Sequence, residues 1–169
     1  MNSGTILIVD EDKGVLKTLK RIMSDEFERV FTINDPNRIP GLLSSNDIDV
    51  VILDMNFRAA VHNGNEGLFW MREISAFDST VSVVILTASG DIELAVKAIK
   101  EGAVDYILKP WDNTRLITTV DTAWKLRVSR LEASSLKQDN QLLKREINKG
   151  GEKIVLGASP TMINVMNIV

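Results

Sequence analysis

An α/β fold, with one parallel sheet covered by helices on both faces, is predicted by three features of this 169-residue chain. Short β-branched blocks alternate with segments of helical period five times over residues 5–124. The blocks are apolar throughout, the mark of strands buried on both faces. Three of them end in a charged group and a fourth in a hydroxyl.

Each element has its own signal. Thr5-Ile6-Leu7-Ile8-Val9 reads as the first strand. Val15, Leu16, Leu19, Ile22, Met23 and Phe27 then recur at helical spacing. Val30-Phe31-Thr32-Ile33 is the second strand, and Pro36 and Pro40-Gly41 break up the helix after it. Val50-Val51-Ile52-Leu53 is the third strand, ending at Asp54. A polar loop with Asn63-Gly64-Asn65 leads to a helix marked by Leu68, Met71 and Ile74. The fourth strand, Val81-Ser82-Val83-Val84-Ile85-Leu86, ends at Thr87. Asp91 is the N-cap of a helix with Ile92, Ala95, Val96 and Ile99 on one face, closed by Gly102. Tyr106-Ile107-Leu108 is the fifth strand, ending at Lys109-Pro110. Asp112 or Asn113 caps the last helix, with Leu116, Ile117, Val120 and Trp124 inward.

Composition removes whole classes of function. Cysteine is absent and His62 is the only histidine, which excludes disulfides, thiolate zinc sites and multi-histidine metal sites. No run approaches the ~20 apolar residues of a membrane span. Residues 1–10 lack the basic start of a secretory signal, which points to the cytoplasm. Residues 1–123 carry 12 basic and 19 acidic groups, whereas residues 124–149 carry 7 and 3. An acidic block followed by a basic, helix-favouring stretch reads as a domain and a linker. Leu126, Leu131, Leu136, Leu142, Leu143 and Ile147 give that stretch a weak coiled-coil register, ended by Gly150-Gly151.

In open parallel sheets ligands bind outside the carboxyl ends of the strands. That rule gathers Asp10-Glu11-Asp12, Asp54, Thr87 and Lys109 into one crevice. Converging carboxylates repel one another and call for a cation. Oxygen-only donors favour Mg²⁺. A carboxylate beside Mg²⁺, a lysine and a hydroxyl suits a phosphoryl acceptor.

These residues, with Leu86-Thr87-Ala88 and Tyr106-Ile107-Leu108-Lys109-Pro110, resemble the receiver domain of two-component response regulators. The resemblance implies a flavodoxin-like (βα)5 fold with strand order 2-1-3-4-5. It implies phosphorylation of Asp54 by a histidine kinase, with Mg²⁺ held by Asp12, Asp54, the Asn56 main-chain carbonyl and, largely through water, Glu11. Lys109 would pair with the phosphoryl group, and Thr87 and Tyr106 would switch together. The Lys109-Pro110 peptide would be cis. The signalling face would be residues 91–101, 106–108 and 113–125, through which, with the linker helix, the chain would form a homodimer. Two departures stand out: Arg58 replaces a usual proline, and the loop from Asp54 to Gly67 is several residues long for the family.

The tail, Lys153-Ile154-Val155-Leu156-Gly157-Ala158-Ser159-Pro160-Thr161-Met162, is similar to the opening of the AAA+ domain of sigma-54-dependent activators. The implied order is a receiver over 1–124, a helical linker over 125–150 and a truncated AAA+ start over 151–169, the NtrC-type arrangement. The chain ends inside an apolar run at Val169, which reads as a cut through a longer protein. It carries no G-x-x-x-x-G-K-[ST] phosphate loop, so ATP hydrolysis and contact with sigma-54 polymerase or promoter DNA are assigned to the parent alone. The reading is thus a signalling domain with self-catalysed phosphoryl transfer, not an enzyme.

Two rival readings fit the residues less well. A haloacid-dehalogenase-type phosphatase also uses an aspartyl phosphate and Mg²⁺, but its general acid would fall at Asn56, which has no carboxylic proton to give. A dimerisation module independent of phosphorylation leaves the acceptor, lysine and hydroxyl set without a use. Trp70 and Trp124 are assigned to packing, Trp111 to the output face, and His62 to a solvated loop.

Overall fold

The structure is a computed structural model that describes residues 2–57 and 65–155. The chain forms two units, residues 1–128 and residues 129–169. In the first, β1 (Asn2–Val9), α1 (Lys13–Ser24), β2 (Phe27–Ile33), α2 (Ile39–Ser45), β3 (Val50–Asp54), α3 (Asn65–Phe77), β4 (Ser82–Ala88), α4 (Ile92–Lys100) and β5 (Asp105–Lys109) alternate, and α5 (Asn113–Val155) begins. All strands are parallel, in the order β2-β1-β3-β4-β5. This is the α/β architecture, with strand order 2-1-3-4-5, expected from the sequence.

Alternate strand residues feed two cores. Ile6, Ile8, Val50, Ile52, Val84 and Leu86 meet α1 and α5 through Leu16, Leu19, Leu116 and Val120. Leu7, Val9, Val51, Leu53, Val83 and Ile85 meet the other helices through Ile39, Leu43, Leu68, Met71, Ile74 and Ala98. Burial on both faces explains why the strands read as unbroken apolar runs.

Several elements differ from the sequence expectation. Phe27 starts β2 instead of ending α1, and it is buried against Trp124, with ring centroids 6.2 Å apart. The proline-broken second helix does form. Pro36 lies in a 3-10 turn, Pro36–Arg38, and Pro40 falls in the first turn of α2, where its missing N–H has no helical partner to lose. On α4 the inward residues are Ala95 and Ala98, while Ile92, Val96 and Ile99 are exposed. Gly102 closes α4 at φ 121°, a left-handed backbone that favours glycine. Asp112 caps α5 through the Arg115 amide.

α5 continues helically past Gly150-Gly151, where the linker was expected to stop. Glycine weakens a helix without forbidding it. In the second unit Leu131, Leu136, Leu142 and Leu143 are exposed. The AAA+-like stretch beyond Val155 lies outside the described residues, as do Arg58 and His62. Among the described residues no helix is long and apolar enough to cross a membrane.

Candidate functional site

The strand register sets up the crevice. Val9 lies beside Leu53, so Asp10 and Asp54 sit at the same end of neighbouring strands. Asp54 pairs with Leu86, next to Thr87, and Ala88 pairs with Lys109. The expected residues Asp54, Thr87 and Lys109 therefore meet at one edge of the sheet. The Lys109-Pro110 peptide is cis.

Lys109 Nζ donates a hydrogen bond to Asp10 Oδ2 at 2.9 Å and stands 3.5 Å from Asp54 Oδ1. The side chains of Asp10 and Asp54 are only 2% and 6% exposed. Burial above all, and then the charge of Asp10, push the Asp54 carboxyl from its ordinary 3.8 up to about 6, against the pull of Lys109 and of the Asn56 amide. Burial is also the largest influence on Lys109 and pushes it down. The hydrogen bonds and charges of Asp10 and Asp54 outweigh it and hold the ammonium above its ordinary value. The Thr87 hydroxyl is fully buried and has no hydrogen-bond partner among the described residues.

Asp10 belongs to the strand-end cluster expected from sequence but is given no ligand role there, and the structure uses it and Asp12 differently. The Asp12 carboxylate caps α1, accepting from the Gly14 amide at 2.8 Å and the Val15 amide at 3.3 Å. Asp10 instead takes the place beside Lys109, and its other oxygen accepts the Asp12 amide. The signal was available: an Asp directly before a helical run is an N-cap. Glu11 and Asp12 both still line the crevice, with Asn56, Asp91 and Lys97. Tyr106 is half-buried, with Arg115 6.0 Å from its ring centre.

Gly67, at the start of α3, presses on the backbone next to the acceptor. A Cβ there would come within 2.8 Å of the Met55 Cα, so only glycine fits. Met55 and Phe57 are buried, which anchors the turn after Asp54 up to the last residue described before the loop.

The donor set fits a hard cation. Two buried carboxylates share one ammonium, Glu11 stands at the same crevice, and every candidate ligand is oxygen. Among the described residues no group of three or more acidic or histidine side chains is already gathered around a metal position. Mg²⁺ does not require one, because it retains several waters and binds through one or two carboxylates.

A family model for the response regulator receiver domain matches residues 6–121. The chain belongs to that family. It is 36% identical over 134 residues to the alginate biosynthesis transcriptional regulatory protein AlgB of Pseudomonas putida, covering 78% of this chain and 29% of that protein. It is 27% identical over 169 residues to the DNA-binding transcriptional regulator NtrC of Salmonella typhimurium, covering 100% of this chain and 33% of that protein. The chain thus spans about a third of the length of these curated relatives. Among solved structures, the N-terminal signal receiver domain of a Bacteroides fragilis two-component response regulator superposes with TM-score 0.67 at 43% identity, over 73% of this chain and 98% of that one. NtrX from Brucella abortus gives TM-score 0.71 at 27% identity, over 86% and 34%. The receiver is a signalling domain of the NtrC type, and phosphorylation-based signalling is the family's function.

Proposed function

We propose that Asp54 is the phosphoacceptor of a cytoplasmic two-component pathway, charged by a histidine kinase in a Mg²⁺-dependent reaction. The observation that carries this reading is the pairing of two buried carboxylates on adjacent strand ends with a single lysine, beside a buried hydroxyl that lacks a partner among the described residues.

An Asp54 oxygen attacks the phosphorus of the donor's phosphohistidine. The P–N bond breaks, its electron pair stays on the imidazole, and an acyl phosphate forms on Asp54. Asp10, Glu11, Asp54 and the Asn56 carbonyl are the groups proposed to hold the cation, with Asp12 kept for the helix cap. Bound there, Mg²⁺ would neutralise the charge of the phosphoryl oxygens. Lys109 needs little movement to reach a phosphoryl oxygen, since its Nζ already stands 3.5 Å from Asp54. A phosphoryl oxygen would also give the Thr87 hydroxyl its missing acceptor. Movement of Thr87, with Tyr106 following, would bias the face of α4, β5 and the start of α5.

That face already exposes Ile92, Val96 and Ile99. A second copy of the chain is the proposed occupant, with the sigma-54-type ATPase and DNA-binding output residing in the longer parent. The phosphatase reading gains nothing, because the residue two positions after Asp54 is Asn56 and its amide is tied to Asp91.

The test is intact-protein mass after incubation with acetyl phosphate, with and without Mg²⁺, for wild type and Asp54→Ala. The expected result is a hydroxylamine-labile adduct of one phosphoryl group that needs both Mg²⁺ and Asp54. An equal adduct on the alanine variant would overturn the assignment.

A further inference from the structure

The helix N-caps that follow the carboxyl ends of the strands behave differently. Asp12 spends its carboxylate on the amides of α1. Asp35 likewise accepts from the Asn37 amide in its 3-10 turn. Asp91 holds the same place before α4 but makes no side-chain cap bond. Its Oδ2 instead accepts from Asn56 Nδ2 at 3.0 Å. A capping carboxylate is ordinarily a stabilising feature of a helix start. Here it is diverted to a residue 35 positions away.

Asn56 is pinned at two points. Its main-chain N–H donates to Asp54 Oδ1 at 3.3 Å, and its side-chain amide reaches Asp91. Both Asn56 and Asp91 line the crevice that holds Asp10, Asp54 and Lys109. The bridge therefore ties the turn beside the acceptor to the first turn of α4. Ser89 and Gly90, just before it, are exposed, and a side chain at Gly90 would meet nothing within 4 Å.

We propose that Asp91 is a positioning residue for the phosphoryl reactions of Asp54: acting through the Asn56 amide, it latches the turn after β3 to α4 and restricts entry to the crevice mouth. The inference rests on Asp54 being the acceptor. The bond lies at the exposed rim of the crevice, and with the latch closed it narrows the approach of a water to the acyl phosphate. Hydrolysis needs a water oxygen to attack phosphorus while the P–O bond to Asp54 breaks, returning the carboxylate and releasing inorganic phosphate. Opening the latch admits that water and also admits a small donor.

The experiment follows the gain and loss of the phosphoryl adduct in wild type, Asp91→Ala, Asp91→Asn, Asn56→Ala and the double alanine variant, using acetyl phosphate and Mg²⁺. Asp91→Ala is expected to shorten the adduct half-life about fivefold, the scale of one hydrogen bond, and to speed its formation. Asp91→Asn retains an oxygen acceptor for the Asn56 amide, so its half-life should stay within about twofold of wild type. The double variant should be no faster than either single one. In metal-free protein the side-chain amide signal of Asn56 in a ¹⁵N spectrum should shift in Asp91→Ala and hold in Asp91→Asn. An unchanged or longer half-life in Asp91→Ala, with the adduct still forming, overturns the latch and leaves the acceptor reading standing. Equal acceleration in Asp91→Asn and Asp91→Ala also overturns it, since charge and not the bond would then govern entry. Wild-type protein that takes no adduct at all removes the acceptor reading, and the latch with it.

Discussion

The two ends of the sheet hold nearly the same groups and use them in opposite ways. At the carboxyl end Asp10 and Asp54 share Lys109. At the amino end Asp49 and Asp78 share Arg127, whose side chain is 5% exposed. Arg127 Nε donates to Asp49 at 3.3 Å and Nη1 to Asp78 at 2.9 Å, and Thr80 is a further partner. Asp49 also accepts the Thr5 amide at 2.8 Å. Burial pushes Asp78 up, but the bonds from Thr80 and Arg127 outweigh it and hold the carboxyl below its ordinary range. Asp54 moves the other way, because its deeper burial and the nearby Asp10 are not offset by one lysine. Both clusters hold one carboxylate more than cations, but at the amino end an arginine, a threonine and a backbone amide satisfy the carboxylates, and that cluster serves the fold. The carboxyl end is left short of positive charge and of one hydroxyl acceptor, which is the condition a cation and a phosphoryl group would relieve.

The sharpest way to break this comparison is Arg127→Met. It leaves Asp49 and Asp78 facing each other without a cation, and removing one member of a buried ion cluster is strongly destabilising. Because Asp78 is 34% exposed, a loss of about 3 kcal/mol is expected, at the low end of the range for buried pairs. Urea unfolding at pH 7 measures it. Asp78 is lowered in the fold, so its share of the stability is present above the ordinary carboxylate value and fades as pH falls through the depressed one. The gap between variant and wild type should therefore narrow in acid.

A matched pair of glycine substitutions separates the two ends next. A Cβ on Gly4 would meet the Trp124 ring at 2.6 Å, and one on Gly67 would meet the Met55 Cα at 2.8 Å. Each alanine is expected to cost about 2 kcal/mol by overpacking. Only Gly67→Ala moves backbone beside Asp54, so only it should slow phosphorylation at a given folded fraction. Equal phosphorylation rates in the two variants would mean that the turn after β3 tolerates displacement.

Asp54→Asn probes the stored charge directly. The folded value near 6 lies above the ordinary 3.8, so the charged carboxylate is disfavoured by the fold. That penalty is full above about pH 6 and disappears below about 4. The neutral variant should be more stable than wild type at pH 8 without Mg²⁺, by about 1.5 kcal/mol once the loss of a partner for Lys109 is counted. The advantage should shrink between pH 6 and 4. Thermal unfolding across that range reads it, and a pH-independent difference would show that Asp54 is not charge-strained.

What the sequence made legible follows from how each signal arises. The strands were readable because burial on both faces leaves an apolar run, and their carboxyl ends brought Asp54, Thr87 and Lys109 together before any side chain was placed. Choosing among Asp10, Glu11 and Asp12 was harder, because it turns on the residue at which β1 gives way to the cap of α1. Arg127 was invisible, since a buried arginine looks like any other basic residue of a polar helical stretch until Asp49 and Asp78 are folded against it. On α4 periodicity marked a stripe without saying which way it faces. The small side chains of Ala95 and Ala98 pack onto the sheet and turn Ile92, Val96 and Ile99 to the surface.

That stripe supplies the smallest expected effect on folding. Ile92 and Val96 are 47% and 43% exposed, so Ile92→Ser with Val96→Ser removes little buried surface and should change stability by no more than about 0.5 kcal/mol. If the face receives a second copy, the same two changes should weaken self-association of the phosphorylated protein in sedimentation experiments while leaving the adduct on Asp54 intact. A large loss of stability would instead place these side chains in the core. Unaltered self-association would move the contact off α4. Either result would reopen the contrast between a carboxyl end built to change and an amino end built to hold.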